Sequence, residues 1–231
     1  MKKINEENIK IIAFDLDNTL YDETIYFDFG IDIVVDKLEK ELGFDPKKMK
    51  NELLDILKKN GKHYHYLFDD FLKIYSLEKE EYLPKILNFF SQVEKDLKTF
   101  EGVTELLQKL SQKYELVIIT NGRKEIQERK IKLLNIKNFF SLIIFASEFE
   151  DKPSKKPFEH LLQVKKIDSH EIIYIADNPE TDFIGAKKLG ITTIRIHNKE
   201  FENKVLNKKY DADFYIKNVR ELEEILNLDW K

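Results

Sequence analysis

The sequence predicts a doubly wound α/β fold, with a parallel sheet and a helical insert after the first strand. Three observations predict it. Short, almost wholly apolar runs recur along the chain, as in strands covered on both faces of a parallel sheet. From about residue 100 onward these runs alternate with helix-period segments, the pattern of successive βα units. Between the first and second runs lies a long stretch with helical periodicity and no convincing strand.

The elements follow in order. Ile11-Ile12-Ala13-Phe14 is the first strand. The insert carries apolar residues at helical spacing: Ile33, Val34, Leu38 and Leu42, then Leu53, Leu54 and Leu57. Tyr66, Leu67, Phe71 and Leu72 follow, then Tyr82, Leu83, Ile86, Leu87 and Phe90. Breakers at Gly43, Pro46 and Gly61 divide the insert into about four helices. The later strands are 116–119, 142–145, 172–175, 192–196 and 214–216, and the intervening helices are 103–112, 124–134, 158–166, 181–189 and 219–226. The expected division is a core of residues 1–20 and 99–231 and an inserted helical domain of residues 21–98.

Composition narrows the function classes. The chain has 231 residues, 39 Lys and Arg against 43 Asp and Glu, a formal charge of −4 and no cysteine. Disulfides and cysteine-ligated metals are excluded. The charge balance lacks the basic excess of a nucleic-acid binder. No stretch approaches the roughly 20 apolar residues of a membrane span, and polar residues 5–8 after Met-Lys-Lys argue against a signal peptide. The expectation is a cytoplasmic protein, monomeric or homodimeric, with no nucleic-acid or membrane partner.

In a doubly wound sheet, ligands bind at the carboxyl ends of the strands. Asp15, Asp17, Asn18 and Thr19 follow the first strand; Thr120, Asn121 and Gly122 follow the second; Asp177, then Asp182, follow the fourth. A turn beginning at Leu16 can bring Asp15 and Asp17 into one pocket. Several acids in one dry cleft repel each other and are expensive to bury. A hard dication such as Mg²⁺, bound through carboxylates, a carbonyl and phosphate oxygens, resolves the conflict.

Asp15-Leu16-Asp17-Asn18-Thr19 resembles the Asp-x-Asp-x-Thr/Val motif of the haloacid dehalogenase-like hydrolases. Thr120 matches that family's second motif, and Asp177 with Asp182 its fourth, although Ala176 stands where many members have Gly. The third motif is a lysine before a proline, with an apolar residue six positions on. Lys152, with Pro153 and Phe158, satisfies both conditions and lies 25 residues before Asp177, against 21 for Lys156. Lys155 and Lys156 read as a solvated helix start. The insert is similar to the C1 cap of members that include phosphoglycolate phosphatases, nucleotidases and β-phosphoglucomutases, on a Rossmann-like core.

The resemblance implies an aspartyl-phosphate mechanism with Mg²⁺ and a small phosphorylated metabolite as substrate. Asp15 is the implied nucleophile and Asp17 the acid and base, with its carbonyl also reaching the metal. Thr120, Asn121 and neighbouring amides would hold phosphoryl oxygens. Lys152 would hold the same group and offset Asp15; Asp15, Asp17 and Asp177 would form the metal site. Asp182 fits either an outer metal contact or a partner for Lys152. Dehalogenating members lack an acid at the position of Asp17, so a phosphate-transferring member is favoured over a dehalogenase, and a phosphatase is the expectation. A phosphomutase using the same residues and a non-catalytic binding protein are the alternatives.

Several residues carry no assignment beyond packing. Tyr26 and Phe27 read as insert core or as part of the entrance, and Arg123 as a substrate contact or the start of a helix. Lys62–Tyr66 reads as an exposed helix start, since His63 and His65 do not share a helix face, and Trp230 as terminal packing.

Overall fold

Parallel strands built from β-branched residues set the architecture. The computed structural model describes residue 4 and residues 6–61, 64–201, 207 and 210–226. Its six-stranded sheet comprises β1 (Ile11–Phe14), β2 (Glu115–Thr120), β3 (Leu142–Phe145), β4 (Ile172–Ala176), β5 (Thr192–Ile196) and β6 (Phe214–Ile216). The order is β3-β2-β1-β4-β5-β6 and every pairing is parallel. All residues of β1 and β4 are buried, as continuous apolar runs require when helices cover both faces. The predicted α/β class and all six strands are found.

The helices of this unit are α5 (Val103–Leu110), α6 (Lys124–Leu133), α7 (Lys156–Lys165), α8 (Phe183–Lys188) and α9 (Glu221–Ile225), counted after four in the insert. Helix α7 starts two residues before the expected 158, because Pro157 falls in its first turn, where the missing N–H is harmless. Helices α5, α8 and α9 are each shorter than expected at one or both ends. One core cluster joins Ile11, Ala13, Val117, Ile119 and Tyr174 of the strands to Phe158, Leu161, Phe183 and Ala186 of α7 and α8.

Contacts divide the chain into one unit of Met1–Glu23 with Leu97–Lys231 and a second of Thr24–Asp96. The second unit holds most of α1 (Glu23–Leu42), with α2 (Pro46–Asn60), α3 (Leu67–Ile74) and α4 (Lys79–Phe90). Asp45 caps α2, accepting from the Lys47 N–H at 2.8 Å, and Pro46 opens it. Phe90 is a hub inside this unit: the rings of Tyr26, Phe27 and Phe68 meet it edge-on at 5.6–5.7 Å. Gly30 lets that ring approach, since a Cβ there would lie 2.5 Å from it. The Tyr26 hydroxyl donates to the Phe90 carbonyl at 3.2 Å, so Tyr26 is a core residue. Lys62, His63 and Trp230 lie outside the described residues, and α3 begins at Leu67.

Candidate active site

Strand order explains why distant residues meet. The chain passes from β1 to β2 and β3 on one side and returns to β4 on the other, so β1 lies at the switch point between β2 and β4. Phe14 is level with Ile118 of β2 and Ile175 of β4. Asp15 therefore leaves the sheet beside both neighbours, and its N–H donates to the Ile175 carbonyl at 2.9 Å.

Lys152 is the centre of the site. It is 4% exposed, and its ammonium group donates to Asp15 Oδ1 at 2.7 Å, Asp182 Oδ1 at 2.6 Å and the Tyr174 hydroxyl at 2.8 Å. An ammonium group has three N–H bonds, and each has a partner here. Burial opposes the charge, but Asp15 and Asp182 outweigh it and hold the Lys152 pKa well above its ordinary range. Lys155 and Lys156 instead pair with Glu159 and Glu150 on the surface.

The loop carrying Lys152 is clasped by Asn121, whose amide donates to the Lys152 carbonyl at 3.0 Å and accepts from its N–H at 2.9 Å. The Asn121 side chain thus holds the lysine loop. On the other side, α8 approaches so closely that a Cβ on Gly185 would lie 2.4 Å from the Ser154 carbonyl oxygen.

Three carboxylates converge. Ligand atoms of Asp15, Asp177 and Asp182 all lie within 4.8 Å of one another, a group able to hold a metal ion. Asp182 also accepts from the Asn178 N–H at 2.9 Å, and Asp177 from the Asn198 amide at 2.7 Å. Burial, partly offset by Lys152, pushes the Asp15 carboxyl up to about 7. Burial, with Asp182 and Asp15 nearby, pushes Asp177 well above the carboxylate range. One ammonium group does not compensate three buried acids. A hard dication bound by oxygen donors suits this donor set, and the residues present fit one.

Asp17 is not in that trio. The chain turns at Asn18, whose φ of +56° is in the left-handed region that Asn tolerates. The Asp17 carboxylate faces α6 and the Tyr21 hydroxyl, which donates to it at 2.6 Å. Lys130 donates to both oxygens, at 2.7 and 2.8 Å, and Gln127 to one at 2.9 Å. Burial raises the Asp17 pKa, but Lys130 outweighs it and the net shift is downward. Gln127 also donates to the Thr120 hydroxyl at 2.5 Å.

Gln127, Lys130, Tyr174 and Asn198 were not singled out by sequence reasoning. The available signal was the α6 stripe at 127, 130, 131 and 134, where polar residues occupy positions that face inward. A tyrosine among the aliphatics of β4 was a second, because a buried hydroxyl needs a partner.

Strands, switch point and acid–lysine cluster together define a hydrolase of an α/β class. The chain belongs to the haloacid dehalogenase-like hydrolases, whose family model matches residues 12–196. It is 29% identical over 227 residues to a glyceraldehyde 3-phosphate phosphatase of Pyrococcus furiosus, covering 94% of this chain and 93% of the other. It is 25% identical over 223 residues to the pyrophosphatase PpaX of Bacillus cereus, covering 95% and 97%. Among solved structures it resembles an HAD phosphatase from Thermococcus onnurineus, with a TM-score of 0.67 and 24% identity over 94% of this chain and 98% of that one. Among the described residues no helix is long and apolar enough to cross a membrane.

Proposed function

We propose that this hydrolase is a Mg²⁺-dependent phosphatase acting on a small phosphate monoester through an aspartyl-phosphate. The observation that carries the reading is the buried contact of Asp15 with Lys152 at 2.7 Å, at the sheet's switch point and beside two further acids. The glyceraldehyde 3-phosphate phosphatase and the pyrophosphatase that the chain resembles act on phosphoester and phosphoanhydride bonds, which supports phosphoryl transfer here.

In this reading an Asp15 carboxylate oxygen attacks phosphorus, and the bond from phosphorus to the leaving oxygen breaks. Asp17, entering this step protonated, gives that oxygen its proton and is left as the carboxylate that Lys130 holds; it then takes one from the water whose oxygen attacks the phosphoenzyme. The bond from phosphorus to Asp15 then breaks and inorganic phosphate leaves. Thr120 and the Asn121 N–H hold phosphoryl oxygens as charge shifts, and Lys152 orients the nucleophile. Asp15, Asp177 and the Asp17 carbonyl would hold Mg²⁺, which supplies charge neutralisation at the phosphoryl group. Asp182 serves Lys152 and borders the metal site. The insert acts as the cap that selects the leaving group, in a chain with its core at 1–20 and 99–231.

The test is phosphate release from a panel of phosphorylated metabolites. Activity should require Mg²⁺, disappear with EDTA and be abolished by Asp15→Asn. Turnover that survives chelation or that substitution overturns the proposal.

A further inference from the structure

Helix α6 presents two buried polar side chains to the loop after β1. Gln127 is 1% exposed and Lys130 8%, although both sit in a strongly charged helix where they would normally face water. Their polar atoms converge on the Asp17 carboxylate and on Thr120. Gln127 donates one amide hydrogen to the Thr120 hydroxyl and the other to Asp17. Lys130 spans both oxygens of Asp17.

We propose that Lys130 and Gln127 are positioning residues for the leaving-group step, fixing the Asp17 carboxyl and directing the Thr120 hydroxyl. This rests on the phosphatase reading above. Asp17 is two residues from Asp15, and like charges push the carboxylates apart. Lys152 is fully engaged with Asp15, Asp182 and Tyr174, so it has no N–H left for Asp17. A second cation on a different element holds Asp17 instead. With Lys130 across both oxygens, the carboxyl plane is fixed and the carboxylate left when Asp17 yields its proton is stabilised, at a site where proton transfer reaches only about 2.6–3.2 Å. Gln127 acts at the neighbouring group. Because the Thr120 oxygen accepts from Gln127, the hydroxyl's own hydrogen is kept for an acceptor elsewhere. In the present structure that acceptor is the Asn121 carbonyl at a long 3.3 Å, a bond weak enough to give way to a phosphoryl oxygen.

The distinguishing property is leaving-group dependence. An alkyl phosphate expels an alkoxide that needs a proton, whereas p-nitrophenyl phosphate expels a stable phenolate that does not. The quantity kcat/KM reports only up to the first irreversible step, so for both substrates it excludes the later attack of water. Wild-type enzyme, Lys130→Met, Lys130→Arg and Gln127→Leu should be assayed with Mg²⁺ on glycerol phosphate and p-nitrophenyl phosphate. General acid help is worth roughly 10²–10⁴-fold. Lys130→Met should therefore lower kcat/KM for glycerol phosphate by about 10- to 100-fold, but for p-nitrophenyl phosphate by less than about 3-fold. Lys130→Arg, which can also span a carboxylate, should recover most of the loss.

Equal losses on the two substrates would make Lys130 a structural residue and overturn the proposal, as would no loss on either. If Lys130→Met fails to fold, Gln127→Leu decides. It should show the same preferential loss on glycerol phosphate, with an additional weaker hold on inorganic phosphate as inhibitor, and an even loss refutes the assignment. A wild-type enzyme that releases phosphate from neither ester nor any metabolite of the panel is a different result, since it refutes the phosphatase reading itself.

Discussion

Replacing Gly185 by alanine tests whether the approach of α8 to the lysine loop sets the site. The added Cβ would lie 2.4 Å from the Ser154 carbonyl oxygen, 2.9 Å from its carbon and 3.0 Å from the Pro153 carbonyl oxygen. These are backbone atoms, so no rotamer change relieves the overlap. Reaching an ordinary contact requires helix and loop to separate by about 1 Å, and overpacking of this kind costs about 1–3 kcal/mol. At about 2–4 °C per kcal/mol for a chain of this size, the melting temperature should fall by about 2–12 °C. The same displacement pulls Lys152 from Asp182, which stands at the start of α8, and from Asp15. A misplacement of about 1 Å can cost roughly 10²-fold in rate. Gly190→Ala is the control. Gly190 has a φ of +81°, and its nearest neighbour to a new Cβ is Ser169 Oγ at 3.4 Å. Alanine there bears about 1–2 kcal/mol of left-handed strain without moving the lysine loop. Calorimetry and kcat/KM should therefore separate the pair: both variants melt early, and only Gly185→Ala loses about 10²-fold in activity. If the two variants lose activity alike, the close approach does not position Lys152 and the reasoning fails.

Three further outcomes follow from the same geometry. Asn121→Ala removes both hydrogen bonds that clasp the Lys152 backbone, a loss of about 1–3 kcal/mol, and should lower kcat more than KM because the lysine loop loosens. Asp177→Asn removes a buried charge that has no ammonium partner among the described residues; without metal the variant should melt at or above wild type, while any rise in melting temperature produced by Mg²⁺ should vanish. Asp213 is held below the ordinary carboxylate value of 3.8: burial opposes its charge, but Lys187 and Thr193 outweigh it. A depressed pKa contributes stability at neutral pH that is lost as pH falls through the folded value. Asp213→Asn should thus cost about 0.5–1 kcal/mol at pH 7, allowing for solvent screening of this half-exposed group. The difference should shrink in urea melts as pH falls below 3.8 through the lowered folded value, and a gap that stays constant with pH would show that charge is not involved.

The sheet was legible because burial on both faces leaves continuous apolar runs of four or more residues, clearest in β1 to β4. Asp15, Thr120 and Asp177 were legible from their place just past such runs. Lys152 was separable from Lys156 by its spacing to Pro153, Phe158 and Asp177, and the structure turns Lys152 inward and Lys156 outward. What sequence reading could not supply was side-chain direction. Within Glu128-Arg129-Lys130-Ile131-Lys132, Lys130 is one of three basic residues, and only the rotation of α6 sends it to Asp17. Asn121 was legible by position but not by use, because its side chain turns to the Lys152 backbone rather than into the cleft. The helical insert could be counted by its breakers, yet no spacing in it distinguished Tyr26 as core from Tyr26 as entrance.

The formal charge of −4 conceals an arrangement in which Asp15 and Asp17 are each paired with an ammonium group on another part of the chain: Lys152, shared with Asp182, for Asp15, and Lys130 for Asp17. Lys152 has every N–H engaged, so an arriving phosphoryl group finds no free N–H on it while Asp15 and Asp182 hold their share. In the proposed reaction, the Asp15 oxygen loses charge as it bonds to phosphorus, and its hold on Lys152 weakens in step. The freed N–H can then turn to a phosphoryl oxygen at the moment negative charge is moving across that group. Such an interaction strengthens between ground state and transition state, and so raises the rate rather than merely the affinity. Ground-state attraction would then come from elsewhere: Asp15, Asp177 and Asp182 leave the pocket short of positive charge, and a dication held there would supply it. In the proposed reaction Lys152 would therefore act on the transition state and the dication on binding.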